Sequence, residues 1–307
     1  MNRKIKLVVN PIAGNHTVAK NWSDFGRELK HILGDFSTEF TKDIYDATTI
    51  TRQALWQGYE TIIALGGDGT INEVVNGFFE NEKLINPEAS LGVIAMGTGG
   101  DWAKTLETPE KLEDAASLIL DKRIKKCDLG LIKCQSLDGY PVIRYFINIA
   151  DAGFGGTLAQ LVNNSTKALG PFFAYMTGLL RTLTVYKNKP MQIKIDDFLT
   201  QEQIANSVVI ANGQFFGGGM WIAPNAKIDD GLFEIAIIGD VSRREVLTNI
   251  NKLYNGTLAK HPKVKYLQGK TITLNSDFEI LIEADGEQPG KLPATFEIFP
   301  KILNCIC

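Results

Sequence analysis

Thr61-Ile62-Ile63-Ala64-Leu65-Gly66-Gly67-Asp68-Gly69-Thr70-Ile71-Asn72-Glu73-Val74-Val75-Asn76-Gly77 is the stretch whose reading decides the fold. Thr61–Leu65 has the short, continuously apolar pattern of a strand buried on both faces. Glycines end it at once, and a helical pattern is expected to start near Asn72. A glycine-rich turn between a buried strand and a helix has a physical purpose. Glycine lets the backbone approach a ligand closely and adopt positive φ. The free amides and the helix N-terminus then favour phosphate. Asp68 inside such a turn is odd if phosphate is the whole ligand, and makes sense if a divalent cation or its water lies nearby.

The same alternation extends on both sides of this stretch. Ile5–Val9 reads as a strand ending in the turn Asn10-Pro11-Ile12-Ala13-Gly14. Val18–Leu33 carries Trp22, Phe25, Leu29 and Ile32 at helical spacing. Glu39–Thr41, Ala47–Gly58, Leu91–Met96 and Lys111–Asp121 continue the series as strand, helix, strand and helix. Strands alternating with helices predict a doubly wound α/β domain with a parallel sheet, whose ligands bind at the carboxyl ends of the strands. Beyond Asp128 the texture changes. Val142–Ala150, Met191–Asp196, Ser207–Ala211, Leu232–Ile238, Ile272–Leu274, Phe278–Ala284 and Thr295–Phe299 read as strands separated by turns such as Asp230-Gly231 and Asp285-Gly286. Helical runs are expected at 157–184 and 244–254. The resulting division is an α/β domain over 1–130, completed by 291–307, and a β-sandwich over 131–290.

Bulk composition excludes several classes. The 307 residues are 44% hydrophobic and 22% charged, which provides for a sizeable core. A formal net charge of -3 gives no global pull toward nucleic acid. Cys127, Cys134, Cys305 and Cys307 are too few for a disulfide framework. Cys305-x-Cys307 reads as a tail whose thiols have no role, with metal binding as the alternative. No signal peptide precedes the first strand, and no run reaches the ~20 apolar residues of a membrane span, so a reducing, cytoplasmic compartment is expected. Two acid-free tracts, between Asp151 and Asp196 and between Glu245 and Asp277, carry Lys167, Arg181, Lys187, Lys189, Lys194, Lys252, Lys260, Lys263, Lys265 and Lys270. Such tracts are solvated loops and edges, or faces that meet an anionic membrane surface. The apolar run Leu169–Leu180 lies inside the first tract, and reads as a helix buried on the β-domain or one dipping into headgroups. Phe215–Trp221 is a second candidate for acyl-chain contact or a lid.

There is no GxxxxGK[ST] loop and no GxGxxG after the first strand, so this is neither an ordinary P-loop enzyme nor a nicotinamide dehydrogenase. The chain nevertheless resembles, over nearly its full length, the bacterial lipid kinases related to diacylglycerol and sphingosine kinases. The resemblance rests on Asn10-Pro11-x-Ala13-Gly14, on Gly66–Gly77, and on Leu91-Gly92-Val93-Ile94-Ala95-Met96-Gly97-Thr98-Gly99. Asp229-Asp230-Gly231 and Asp285-Gly286-Glu287 follow in family order. Phosphofructokinases and NAD kinases share the GGDG turn, and the implied first domain is of their kind.

The resemblance implies ATP as phosphoryl donor, held by Asn10, Pro11, Ile12, Ala13, Gly14, Thr41, Gly66, Gly67, Asp68, Gly69, Thr70, Ile71, Asn72 and Thr98. It implies Mg2+ held by the Asp230 carboxylate and the carbonyls of Lys227 and Leu232, and linked to Asp68 through water. A hairpin turn without metal is the plain alternative for that loop. It implies Glu287 as the general base, with Asp285 beside it, acting on a lipid hydroxyl at a membrane surface. A homodimer is compatible with this reading. Two positions depart from the family pattern Gly-Thr-x-Asn-Asp-Phe-Ala: Trp102 keeps an aromatic where the family has Phe, whereas Gly100 stands where the family has Asn and cannot supply the amide contact. Two alternatives stand beside the lipid kinase. A soluble-substrate kinase of the NAD-kinase kind would phosphorylate NAD without detergent, and a non-catalytic nucleotide- or lipid-binding protein would bind ATP without transfer.

Overall fold

The computed structural model describes residues 4–96, 100–163 and 171–307, with the side chains of 171–175 left aside. The chain divides into two compact units, Met1–Leu129 with Pro300–Cys307, and Gly130–Phe299.

The first unit runs β1 (Ile5–Val9), α1 (Ala13–Leu33), β2 (Ser37–Phe40), α2 (Asp46–Trp56), β3 (Thr61–Gly66) and α3 (Asp68–Gly77). A small hairpin of β4 (Phe79–Glu80) and β5 (Lys83–Leu84) follows, then β6 (Ser90–Ala95), α4 (Asp101–Thr105) and α5 (Leu112–Asp121). The sheet is parallel in the order β2-β1-β3-β6, and Asn304 and Cys305 extend it beyond β6, again in parallel. Leu7, Val9, Ile63 and Leu65 form one core with Leu29 and Leu33 of α1 and Ala116 and Ile119 of α5. Alternation along a strand sends Val8, Ile62 and Ala64 to the other face, where they are equally buried and where α2 and α3 pack. Both faces are therefore covered, which is why these strands read as unbroken apolar runs. In α1, residues 14–16 have left-handed dihedrals, so regular right-handed helix begins only after His16.

The second unit begins within β7 (Ile124–Gln135), then runs through β8 (Pro141–Phe146), β9 (Ile149–Gly153), α6 (Phe154–Asn163), α7 (Pro171–Val185), β10 (Lys189–Ile195), β11 (Leu199–Ala205) and β12 (Ser207–Ala211). A short hairpin of β13 (Phe215–Phe216) and β14 (Met220–Trp221) precedes β15 (Phe233–Ile238), α8 (Arg243–Thr248), α9 (Ile250–Tyr254), β16 (Val264–Gly269), β17 (Thr271–Asn275), β18 (Leu281–Ala284) and β19 (Glu287–Ile306). One arm of strands runs β16-β15-β12-β9-β18-β19, and a second runs β11-β10-β17-β19, with the β7–β8 pair also on β19. The two arms enclose one core built from alternate residues such as Ala152, Ile193, Val208, Ile235, Ile272, Ile282 and Phe296. Stacking of Phe146 on Phe233, with ring centroids 5.6 Å apart, fills its centre. This is the β-sandwich-like half.

Several expectations shift. The return to the first unit starts at Pro300 rather than 291, because Ala294–Glu297 pair with β17 inside the second unit. β18 is shorter than the expected Phe278–Ala284, and Phe278 is exposed. β7, β11 and β16 were absent from the strand reading. Cys305 is no loose tail residue: it is buried in the first unit's sheet, and a hydrogen bond with the Cys127 thiol together with burial pushes its own thiol well up.

Asp151 is a buried charge-bearing group in β9. Its Oδ2 accepts from Ser207 Oγ at 3.1 Å and from the Gly155 amide at 2.9 Å. Burial outweighs both and pushes its carboxyl up to about 7, and the same charge helps burial raise the Tyr186 phenol. The unfolded carboxyl titrates near ~4. The folded chain thus keeps a proton that the unfolded chain releases, so this contribution to stability is fully present below about pH 4 and is lost as pH rises through about 7. Asp151→Asn, which cannot ionise, should melt above the wild type at about pH 8 and show no such gain at about pH 4 in a calorimetric pH series.

Candidate active site

In the first unit the carboxyl ends of four strands are tied together. The Asn10 amide donates to Leu65 O at 3.0 Å, Met96 N donates to Gly66 O at 2.8 Å, and Thr41 N donates to Val9 O at 2.9 Å. Asn10 also closes its own turn: its Oδ1 accepts from Ile12 N, and its Nδ2 donates to Thr70 Oγ1 at 3.0 Å. The expected Asn10 side chain therefore frames the loop. Pro11 and Ile12 accept the amides of Ala19 and His16, Ala13 is buried, and Gly14 turns at φ 59 beside Met96 O.

Gly66–Asn72 forms a strand-to-helix turn whose helix starts at Asp68, four residues earlier than expected, with Gly67 extended at the cap. Gly66 is required by close approach: a Cβ there would lie 2.5 Å from Thr70 Oγ1. Side chains at Gly67 or Gly69 would meet nothing within 4 Å, so the turn presents open backbone. Thr70, Ile71 and Asn72 are buried, and the Asn76 side chain donates to Asn72 O and Oδ1. A ligand at this turn would meet the backbone of 67–69 rather than those three side chains.

Asp68 points back at the following segment. Its two carboxylate oxygens accept the Asp101 and Trp102 amides, each at 3.2 Å. It thereby holds the start of α4, and Trp102 below is fully buried. Gly100, at φ 61 and ψ 33, is left-handed. Glycine and asparagine are the residues that adopt this conformation most readily, so the departure from the family pattern keeps the backbone. Thr98 lies outside the described residues.

In the second unit, Asp285 and Gly286 are the two left-handed residues of a hairpin turn, φ 49 and 88, with Ala284 opposite Glu287. The Asp285 carboxylate is buried. It accepts three backbone amides of the β8–β9 connection, Ile147 at 2.8 Å, Asn148 at 3.1 Å and Ile149 at 3.0 Å. Those bonds make it a frame for the turn. Glu287 follows, about a quarter exposed, with Oε2 bonded at 2.7 Å to Arg144 Nη2. Arg144 escaped the sequence reading, although an arginine inside the apolar strand pattern Val142–Ala150 signals a shielded partner. Asn148 extends the frame by donating to Phe215 O at 2.7 Å, and Phe215 stacks on Trp221 across the β13–β14 hairpin.

The loop read as a magnesium site leads into β15 of that unit. Asp230 is exposed, and its Oδ1 accepts the Leu232 amide at 3.0 Å. Its charge adds to burial in raising the neighbouring Glu234 carboxyl. No group of three or more His, Cys, Asp or Glu able to hold a metal occurs among the described residues. The donors offered by Lys227, Asp230 and Leu232 are one carboxylate and backbone oxygens, a set that suits a hard cation sharing its shell with water. Of the apolar 169–180 run, 169 and 170 lie outside the described residues. α7 beyond them exposes Met176, Leu180 and Val185, and Gly178 packs against Leu158 and Val162 of α6.

Comparison with known proteins agrees across both units. Residues 4–132 match the diacylglycerol kinase catalytic domain, and residues 148–307 match the YegS C-terminal NAD kinase beta sandwich-like domain. A diacylglycerol kinase of Staphylococcus saprophyticus subsp. saprophyticus is 32% identical over 300 residues, covering 96% of this chain and 92% of its own. A structure from Bacillus anthracis str. Sterne, provisionally assigned as a diacylglycerol kinase, superposes with a TM-score of 0.77 at 25% identity, covering 99% and 96% of the two chains. An Archaeoglobus fulgidus NAD kinase solved with ATP shares the fold, with a TM-score of 0.52 at 12% identity over 99% and 93%.

Asp285→Asn would turn an amide NH2 toward the Ile147 N–H. Urea unfolding should show a loss of about 1–3 kcal/mol relative to the wild type.

Proposed function

The chain belongs to the diacylglycerol kinase family, and from that premise we propose that it transfers the γ-phosphoryl of ATP to the hydroxyl of diacylglycerol or a related lipid alcohol. The observation that carries this reading is the open strand-to-helix turn at Gly67–Gly69, with Asp68 fixing the segment that follows it. Unpaired amides in the first turn of α3 suit phosphate oxygens. Phosphoryl transfer asks mainly for positioning and charge neutralisation. Glu287 is the side chain proposed to take the proton of the acceptor hydroxyl. Its carboxylate is only partly exposed, and it follows a turn locked by three hydrogen bonds.

Lys227, Asp230 and Leu232 would hold Mg2+ through oxygen. Bound there, the ion would supply positive charge against the phosphates. Contact with a membrane surface is favoured by the apolar and basic exposed side of α7, where Met176, Leu180 and Arg181 lie. No helix among the described residues is long and apolar enough to cross a membrane.

Labelled ATP with diacylglycerol in mixed micelles should give a phospholipid product. Glu287→Gln should stay folded and lose at least ~100-fold in rate. Product formed from NAD, and none from lipid, would instead support a soluble-substrate kinase.

A further inference from the structure

We infer that Arg144 is the positioning residue for Glu287, and that Oε1 of Glu287 is the atom that takes the acceptor's proton. The inference rests on the lipid-kinase reading above. Glu287 is held through one oxygen. Oε2 receives the Arg144 guanidinium at 2.7 Å, whereas Oε1 makes no hydrogen bond among the described residues. Their side chains are 16% and 24% exposed, so the pair is shielded well beyond an ordinary surface ion pair.

The placement makes this contact part of a larger brace. Arg144 lies in β8, three residues before the bend at Ile147–Ile149, and Glu287 lies two residues after Asp285. Asp285 binds the bend through three amides, and Arg144 reaches Glu287 from the strand leading into it. Two polar ties between the same two segments fix the backbone of the turn and the side chain that follows it. A glutamate in an exposed hairpin would sample several rotamers, and a charge-assisted bond removes most of that freedom.

Position is what the reaction asks of this side chain, because the transition state of phosphoryl transfer is loose and proton abstraction is not its main demand. In the step itself, the lipid oxygen takes the γ-phosphoryl as the bond to ADP breaks, and the hydroxyl proton passes to Oε1. The guanidinium stays bonded to Oε2 throughout.

The test is a kinetic cycle on the full chain, with diacylglycerol mixed micelles and labelled ATP as probes. Arg144→Met should keep the melting temperature of the wild type and lose about 10²-fold in kcat. Its KM values for ATP and lipid should stay within about threefold, since binding is not what it supports. Arg144→Lys, which keeps the charge and loses the fork, should recover much of the lost kcat. The double variant Glu287→Gln with Arg144→Met should be no slower than Glu287→Gln alone, because the two side chains act as one unit. Should Arg144→Met fail to fold, Arg144→Gln carries the same cycle. An Arg144→Met enzyme with wild-type kcat, or losses that multiply in the double variant, would overturn the inference while leaving the functional reading intact. Wild-type turnover by Glu287→Gln would instead remove the base itself, whatever Arg144 does.

Discussion

Where β3 gives way to α3, the chain passes from a strand buried on both faces straight into a helix. Gly66 O takes Met96 N, Leu65 O takes Asn10 N, and Thr70 Oγ1 takes the Asn10 side chain. These bonds set three strand ends at one level and leave the Gly67–Gly69 backbone free of side-chain cover. The rest of the α/β unit depends on that arrangement. Asp68 can reach the amides of Asp101 and Trp102 only because the turn aims it there, and fully buried Trp102 then anchors the segment below. A carboxylate that accepts two amides is held rather than free to swing.

The β-sandwich-like unit solves a related problem with a buried acid. The connection from β8 to β9 bends sharply at Ile147–Ile149, and its amides face inward. Asp285 supplies the acceptors that neighbouring strands do not. A buried carboxylate is tolerable only when its oxygens are fully engaged. Asp151 shows the opposite bargain two strand positions further along β9. With a hydroxyl and one amide on a single oxygen, it is easier to keep protonated than charged.

Much of this was legible in the sequence, for physical reasons. Residues buried on both faces, such as Thr61–Leu65, announce a parallel sheet, and the glycines of 66–69 mark the carboxyl end of its strand. The start of α3 was misplaced because Gly67 and Gly69 are poor helix formers, and an acid in the first turn outweighed them locally. β7 was missed because Lys125, Lys126 and Asp128 interrupt its pattern. Asp128 is buried, with its carboxylate accepting the Lys301 amide at 2.7 Å, a partner 173 positions away. The family resemblance singled out these turns, and the structure adds the local hydrogen bonds their side chains make. Asp285 spends its carboxylate on backbone amides and the Asn10 side chain divides between Ile12 N and the Thr70 hydroxyl, which no local pattern reveals, and Arg144 finds Glu287 143 positions along the chain.

β19 is a single strand that serves both units, leaving the sandwich at Phe299 and adding Asn304 and Cys305 to the edge of β6. On the ribosome, everything in the α/β unit up to Leu129 emerges long before that edge can be closed. For the time needed to translate and fold the intervening β unit, β6 carries a bare row of amides and carbonyls. An unpaired apolar strand edge is an invitation to aggregate. The order in which this polypeptide is made thus leaves that edge to be closed by its last residues.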